Sequence, residues 1–275
     1  MFQRIGRRWV TFKDNLILAA LIFLALFIWL RDLSWLSTSD DTIPIIVAMP
    51  LFIFLAAPWQ LRTSDVPVSL PWLIIGVVVM LVGIPLNSTV LLTIGWTMLL
   101  WSWIQERTDP SMHDRICKLL ILPLMGFPWV ALDADRIGWW FRLSGANVTA
   151  HVFHFFGFSV EQEGTNLLIN QLPISVDVAC AGLNTLQSML IAGSVANYLL
   201  LGHTSRYWWN IPVLIGIAWV ANTIRVIAII IAALAVSPDF ATGAFHTWGG
   251  WSIILVMFGL CWTILSFQAP KSEEG

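Results

Sequence analysis

Long apolar runs separated by short polar joints dominate this chain. A helix that crosses a bilayer needs about 20 mainly apolar residues, because hydrocarbon offers backbone N–H and C=O groups no partner but each other. Eight stretches approach or meet that length: Trp9 to Leu30, Ile43 to Leu61, Val68 to Leu86, Thr89 to Ile104, Ile116 to Leu132, Ala181 to Leu201, Trp208 to Val236 and Phe245 to Phe267. The fourth and fifth are short. The pattern predicts an all-α polytopic membrane protein with about eight transmembrane helices. No fixed-period repeat and no long linker interrupts it, so one membrane domain over residues 1–275 is expected.

Residues 133–179 break the pattern and have a periodicity of their own. Trp139, Trp140, Leu143, Val152, Phe153 and Phe156 among polar neighbours predict an interfacial amphipathic helix. Beyond Gly157, alternation in Phe158-Ser159-Val160-Glu161 and in Ile174-Ser175-Val176-Asp177-Val178 predicts a small hairpin of two extended pieces around a turn near Gly164. These lead into Cys180 and the sixth apolar run.

Composition sharpens the picture. Of 275 residues, 58% are apolar and 11% charged, against roughly 45–50% and about 25% for a soluble domain. Net charge is −2, so no basic excess points to nucleic acid. The 17 Trp suit a chain that meets two bilayer surfaces. With the N-terminus inside, Arg4, Arg7, Arg8, Lys13, Arg62, Arg107, Arg115, Lys118, Arg206 and Lys271 fall on the inner side. Only Arg31, Arg136 and Arg142 fall outside, the asymmetry cytoplasmic loops show. Both termini are thus expected in the cytoplasm and residues 133–179 on the outer face.

Three cysteines are too few for a disulfide framework, so each is judged by its position. Cys117 faces the reducing cytoplasm and Cys261 lies within the last span, where a free thiol acts as a small hydrophobe. Cys180 differs, because it stands where the outer segment becomes a helix. With Asp177 or Ser175 as N-cap, the helix dipole and free N–H groups there favour a thiolate. Ala181 and Gly182 leave room for a substrate backbone to approach. A buried structural cysteine is the competing reading.

Arg225 is the one charge inside the run Ile211 to Val236. A guanidinium there costs from about 2.5 to well over 10 kcal/mol unless it finds a partner or a wet cavity. Asn222 lies three residues earlier, on the same helical face. Arg225 is roughly 16 Å from Val236 along the helix, so either the pocket is sunk into the bilayer or this long helix is displaced outward. His246 opens the eighth run, where a helix N-terminus disfavours imidazolium and can keep the ring neutral and able to accept a proton. His151 and His154, on the outer helix, compete for that role, whereas His113 and His203 are cytoplasmic. No HExxH or second ligand cluster supports a metal site, and no cofactor is expected. Charge-derived topology brings Cys180 and His246 to one membrane face, with Arg225 on the helix between them in sequence. A thiol, a proton carrier and a fixed cation are the parts that acyl transfer needs.

The strings VACAGL around Cys180, ANTIR ending at Arg225 and HTWGGW beginning at His246, in that order, resemble the exosortase/archaeosortase family of membrane transpeptidases. The usual family string has Ser where this chain has Ala181. The resemblance implies Cys180 as nucleophile, Arg225 as the group that positions or polarises the substrate carbonyl, and His246 as the proton carrier. Asn222, Asp177 and Gly182 would support them. It further implies secreted substrates with a C-terminal sorting signal of motif, transmembrane helix and basic tail. Cleavage would pass through a thioester, followed by transfer to an envelope acceptor, a membrane lipid or glycan, in a prokaryotic cytoplasmic membrane. Two other readings keep some of these residues: a cysteine protease whose thioester water resolves, and a transporter or scaffold in which Arg225 binds an anion at mid-membrane.

Overall fold

A computed structural model describes residues 12–37, 39–62, 68–175 and 183–269. The sequence offers no linker at which to divide the chain, yet it forms two compact units, Met1–Trp129 and Val130–Gly275.

The first unit contains α1 (Phe12–Leu30), α2 (Ser39–Leu55), α3 (Leu70–Gly83), α4 (Thr89–Gln105), α5 (Pro110–Leu119) and α6 (Ile121–Met125). Its tightest pair is the α3/α4 hairpin. A Cβ on Gly76 would stand 2.9 Å from the Gly95 carbonyl oxygen, so the two backbones meet because neither residue has a side chain. Tryptophan indoles tie α1 to its neighbours: Trp96 Nε1 donates to the Leu21 carbonyl at 2.8 Å and Trp29 Nε1 to that of Gly126 at 2.9 Å. Trp96, Trp101 and Trp129 are buried, so part of the tryptophan content serves packing inside the unit.

The fifth expected span, Ile116 to Leu132, is not one helix. It is divided among α5, α6 and α7 (Trp129–Leu132). Pro123 cannot continue α5, since its ring would meet the Leu119 carbonyl one turn back; Gly126 then closes α6 and Pro128 precedes α7. Among the described residues, Arg206–Ala235 is the helix long and apolar enough to cross a membrane by itself, and the shorter apolar helices include Asn15–Leu30, Leu70–Gly83, Thr89–Gln105, Thr185–Leu201 and Ser252–Gln268.

The second unit is built on α8 (Ala134–Phe155), a sheet of β1 (Val160–Glu163), β2 (Asn166–Ile169) and β3 (Leu172–Ser175), and then α9 (Leu183–Leu201), α10 (Arg206–Ala235), α11 (Pro238–Thr242) and α12 (Ala244–Gln268). The helix expected to lie flat at the interface is α8, and it packs lengthwise against α10 instead. Trp219 Nε1 donates to Ser144 Oγ at 2.9 Å, and a Cβ on Gly145 would stand 3.7 Å from Thr223 Oγ1. Farther along both helices, Ala146, Ala150 and Phe153 share a buried cluster with Val226 and Ile230. The two helices therefore run side by side in the same direction. Small residues on α8 permit this close approach, which its hydrophobic pattern alone does not distinguish from lying on a lipid surface.

Gly157, at φ +86°, ends α8. Its N–H bonds the His154 carbonyl and the Phe158 N–H bonds that of Phe153, a Schellman cap closed by the edge-on Phe153 and Phe158 rings with centroids 5.4 Å apart. The expected two-piece hairpin is a three-stranded antiparallel meander in the order β1-β2-β3. Its first turn holds Gly164 at φ +61°, as expected; its second is Asn170-Gln171, both at positive φ, the requirement of a type I′ turn. Leu167 and Ile169 of β2 enter the same cluster as Val226 and Ile230, which seats the sheet beside the last turns of α10.

Candidate functional site

The α10 helix has two buried stripes at helical spacing. Trp219, Thr223, Val226 and Ile230 face α8, as the contacts above require. Tyr207, Asn210, Leu214, Ala218 and Ala221 form the other, all at most 7% exposed. Arg225 is the next residue on this second stripe, four after Ala221. The stripe faces α9. Asn197 Nδ2 donates to the Tyr207 carbonyl at 2.9 Å, Asn210 Nδ2 to Asn197 Oδ1 at 3.2 Å, and a Cβ on Gly193 would stand 2.8 Å from Leu214 Cδ2.

These contacts fix the relative height of the two antiparallel helices. Leu183 is as far along α9 from Gly193 as Ile224 is along α10 from Leu214, so the described start of α9 lies level with Arg225. The α10 helix then continues to Ala235, an overhang of roughly 16 Å. The overhang is flanked by the last turns of α8 and by the sheet. The depth of Arg225 is thereby explained by displacement of the long helix, one of the two arrangements its position in the sequence requires.

The third helix reaches the same height. Arg206 Nη1 donates to the Gln268 carbonyl at 3.1 Å, so α12 runs antiparallel to α10. Equal residue counts from that contact bring position 246 on α12 to about the height of Ala228, within one turn of Arg225. The backbone of His246 is in the first turn of α12, and its side chain is outside the described part. Cys180, Asp177 and Gly182 also lie outside the described residues. Ser175, the alternative cap, is the last residue of β3.

Arg225 is partly buried, with its Nε enclosed, while Asn222 is 5% exposed and its Oδ1 is enclosed. On α9, Thr185 and Gln187 are also buried, within the first two turns past Leu183. Polar side chains thus gather where α9 begins. Of these, Asn222 is the one the sequence marks, by its spacing from Arg225. Asn197 and Asn210 were missed too, though an amide inside an apolar helix is itself a signal. Among the described residues, no three His, Cys, Asp or Glu side chains converge as metal ligands would.

The competing histidines are elsewhere. His151 and His154 are exposed, and a ring nitrogen of His151 is 2.8 Å from the Asn147 carbonyl oxygen. His151 lines an apolar groove with Val148, Val152 and Phe155. Cys261 is 2% exposed and walls a groove of about 280 Å³ between α9 and α12, whose α9 side runs from Ala192 to Leu199.

No curated protein and no solved structure matches the chain. The sequence model of one protein family, described as transmembrane exosortase (Exosortase_EpsH), matches residues 9–263. That match takes in both compact units and every position of the candidate site, and the chain belongs to the transmembrane exosortase family, whose members are membrane transpeptidases and proteases.

Proposed function

We propose that this protein is a cysteine transpeptidase of a prokaryotic cytoplasmic membrane, acting on the outer face upon secreted proteins that end in a motif, a transmembrane helix and a basic tail. Its chain crosses the bilayer about eight times with both termini in the cytoplasm. What supports the reading above all is the shared height of Arg225, the start of α9 and position 246 on α12. Cys180 precedes the described start of α9 by three residues in the chain.

In the proposed reaction, the Cys180 thiolate attacks the carbonyl carbon of the peptide bond between motif and helix. The Arg225 guanidinium draws charge onto the carbonyl oxygen in a site where water is scarce, which is where a fixed cation acts most strongly. His246, which takes the proton of the Cys180 thiol to form this thiolate, then passes it to the departing nitrogen as the C–N bond breaks, leaving a thioester on Cys180. An acceptor amine or hydroxyl, carried by an envelope lipid or glycan, then gives its proton to the imidazole and takes the acyl group, and the thiolate returns. Asn222 lies beside Arg225 to orient it, Asp177 would cap the helix behind Cys180, and Gly182 would leave the substrate backbone room. No cofactor is required.

The test is processing in cells. The protein is co-expressed with a secreted protein bearing such a C-terminal signal, encoded beside it, and the product's new C-terminus is read by mass spectrometry. Wild type removes the helix and tail, while Cys180→Ala and Arg225→Ala, inserted at normal levels, leave the precursor intact. A free carboxylate at the new C-terminus makes the protein a protease, whereas an added mass on that carboxyl establishes transfer. Processing by Cys180→Ala at the wild-type rate defeats the nucleophile assignment.

A further inference from the structure

We infer that the free edge of β3 is the docking site for the extended stretch of substrate beside the cleaved bond, which adds to the sheet as a fourth strand. The inference rests on the peptide chemistry proposed above.

The sheet order leaves β1 and β3 at the edges, and β1 and β2 lie against α8. Among the described residues, no segment pairs with the outer side of β3. Register shows what that side offers. The two-residue turn Asn170-Gln171 makes Ile169 and Leu172 the closely bonded pair, so bonding alternates along β3. Leu172 and Ile174 turn their backbone groups toward β2, while Pro173 and Ser175 turn theirs away. Pro173 agrees with this assignment, because a residue without an N–H costs no ladder bond on an outward-facing position. The open edge therefore presents the Pro173 carbonyl, the Ser175 N–H and the Ser175 carbonyl: two acceptors and one donor within about 7 Å.

That set suits a short peptide. The proline withholds a donor, which blunts the edge against long ladders, as native edge strands commonly do. Pairing of β3 with the β3 of a second copy would set two such edges together and forfeit a donor from each. An incoming peptide brings its own N–H groups to both acceptors. Strand addition supplies affinity through backbone bonds and selectivity through alternate side chains. Here Leu172 and Ile174 share a sheet face with Ile169 and Leu167, their direct partners, and that face is apolar. Every second side chain of the docked strand meets it. Location completes the argument, since β3 ends at Ser175, five residues before Cys180 in the chain. A peptide held along this strand is delivered next to the proposed nucleophile.

The experiment removes the single outward donor. Ser175→Pro deletes that N–H without touching a bond to β2, and Ser175→Ala keeps it. With both variants in the full-length membrane protein and a substrate that wild type processes, Ser175→Pro processes roughly fivefold more slowly than Ser175→Ala at limiting substrate, since the two share the loss of the hydroxyl and differ in the backbone N–H. Equal rates for Ser175→Pro and Ser175→Ala overturn the inference. Should Ser175→Pro fail to accumulate, hydrogen exchange decides with the Cys180→Ala protein and the same substrate. Amide exchange in 172–175 slows on substrate binding if the strand docks there. Unchanged exchange, or slowing with protein concentration in the absence of substrate, overturns it. Failure of wild type to process any signal-bearing protein counts against the proposed function, and so is distinguishable from failure of the docking strand.

Discussion

Asn197 on α9 and Asn210 on α10 meet amide to amide at 3.2 Å, both at most 2% exposed. Lipid is as apolar as the side chains of these helices, so apolar contact alone gives a weak preference for one register, and a buried amide pair supplies a strong one. The register it selects sets the start of α9 against Arg225. Sliding by one turn would move them apart by about 5.4 Å, beyond hydrogen-bond reach.

Asn197→Leu and Asn210→Leu are therefore expected to reduce substrate processing even where the protein still accumulates. The lost bond is worth about 0.6–1.7 kcal/mol in a membrane interior. Cysteines placed at Leu186 and Ala221, which the observed register sets opposite one another, cross-link in the otherwise wild-type chain and lose that reaction in Asn197→Leu. Retained cross-linking together with lost processing would show that the amides act other than through register.

Gly193 is the second element of the same contact. A side chain there meets Leu214 Cδ2 at 2.8 Å and Met189 Sδ at 3.0 Å, both within the packed interface. Gly193→Leu is expected to destabilise the α9/α10 pair by about 1–3 kcal/mol, read as a lower melting temperature and loss of processing. Gly216 and Gly259 have open space where a Cβ would stand. Gly216→Ala and Gly259→Ala should leave both properties near wild type, which separates crowding at this contact from a general intolerance of helix substitutions.

Much of this arrangement is readable along the chain. The two residues of difference at most between the expected and observed ends of α10 and α12 reflect unbroken apolar runs stopped by polar residues. Arg225 stands out because no other charge shares its run. Three features were hidden for physical reasons. Apolar content does not register that Pro123 stops a helix. The alternation that marks β2 occupies only Asn166–Ile169, too short to recognise without its partners. The heights of α9, α10 and α12 depend on Asn197, Tyr207, Asn210 and the Arg206–Gln268 contact, pairings between residues far apart in sequence, so Arg225 looked too deep until the overhang of α10 was seen.

In the first unit, Asp109 caps α5, accepting from the Ser111 N–H at 3.2 Å and Ser111 Oγ at 3.1 Å, with Arg62 as a further donor. The Ser111 bonds, chiefly the backbone one, hold its carboxyl below the ordinary range. A carboxylate with a depressed pKa in the folded state contributes stability above its unfolded pKa, and loses it as pH falls through the folded value. Asp109→Ala should lower the melting temperature at neutral pH, and the gap from wild type should close on acidification below the ordinary carboxylate range. A gap independent of pH over that interval would show that the carboxylate charge is irrelevant to the cap.

The histidines offer the sharpest trial of where proton transfer takes place. His151 and His154 are exposed on α8, whereas Arg225 belongs to a different stripe of α10 from the one that meets α8. Reaching the stripe that bears Arg225 from α8 would require either imidazole to pass around α10. Position 246, in the first turn of α12, has its backbone within one turn of the height of Arg225. His246→Ala is expected to slow processing by about 10²–10⁴-fold, the usual loss on removing a positioned acid or base, while His151→Ala and His154→Ala remain within about twofold of wild type. Time courses of precursor loss in cells measure all three. A defect in His151→Ala as deep as that of His246→Ala, with normal accumulation of both proteins, would transfer the proton-carrying role to α8.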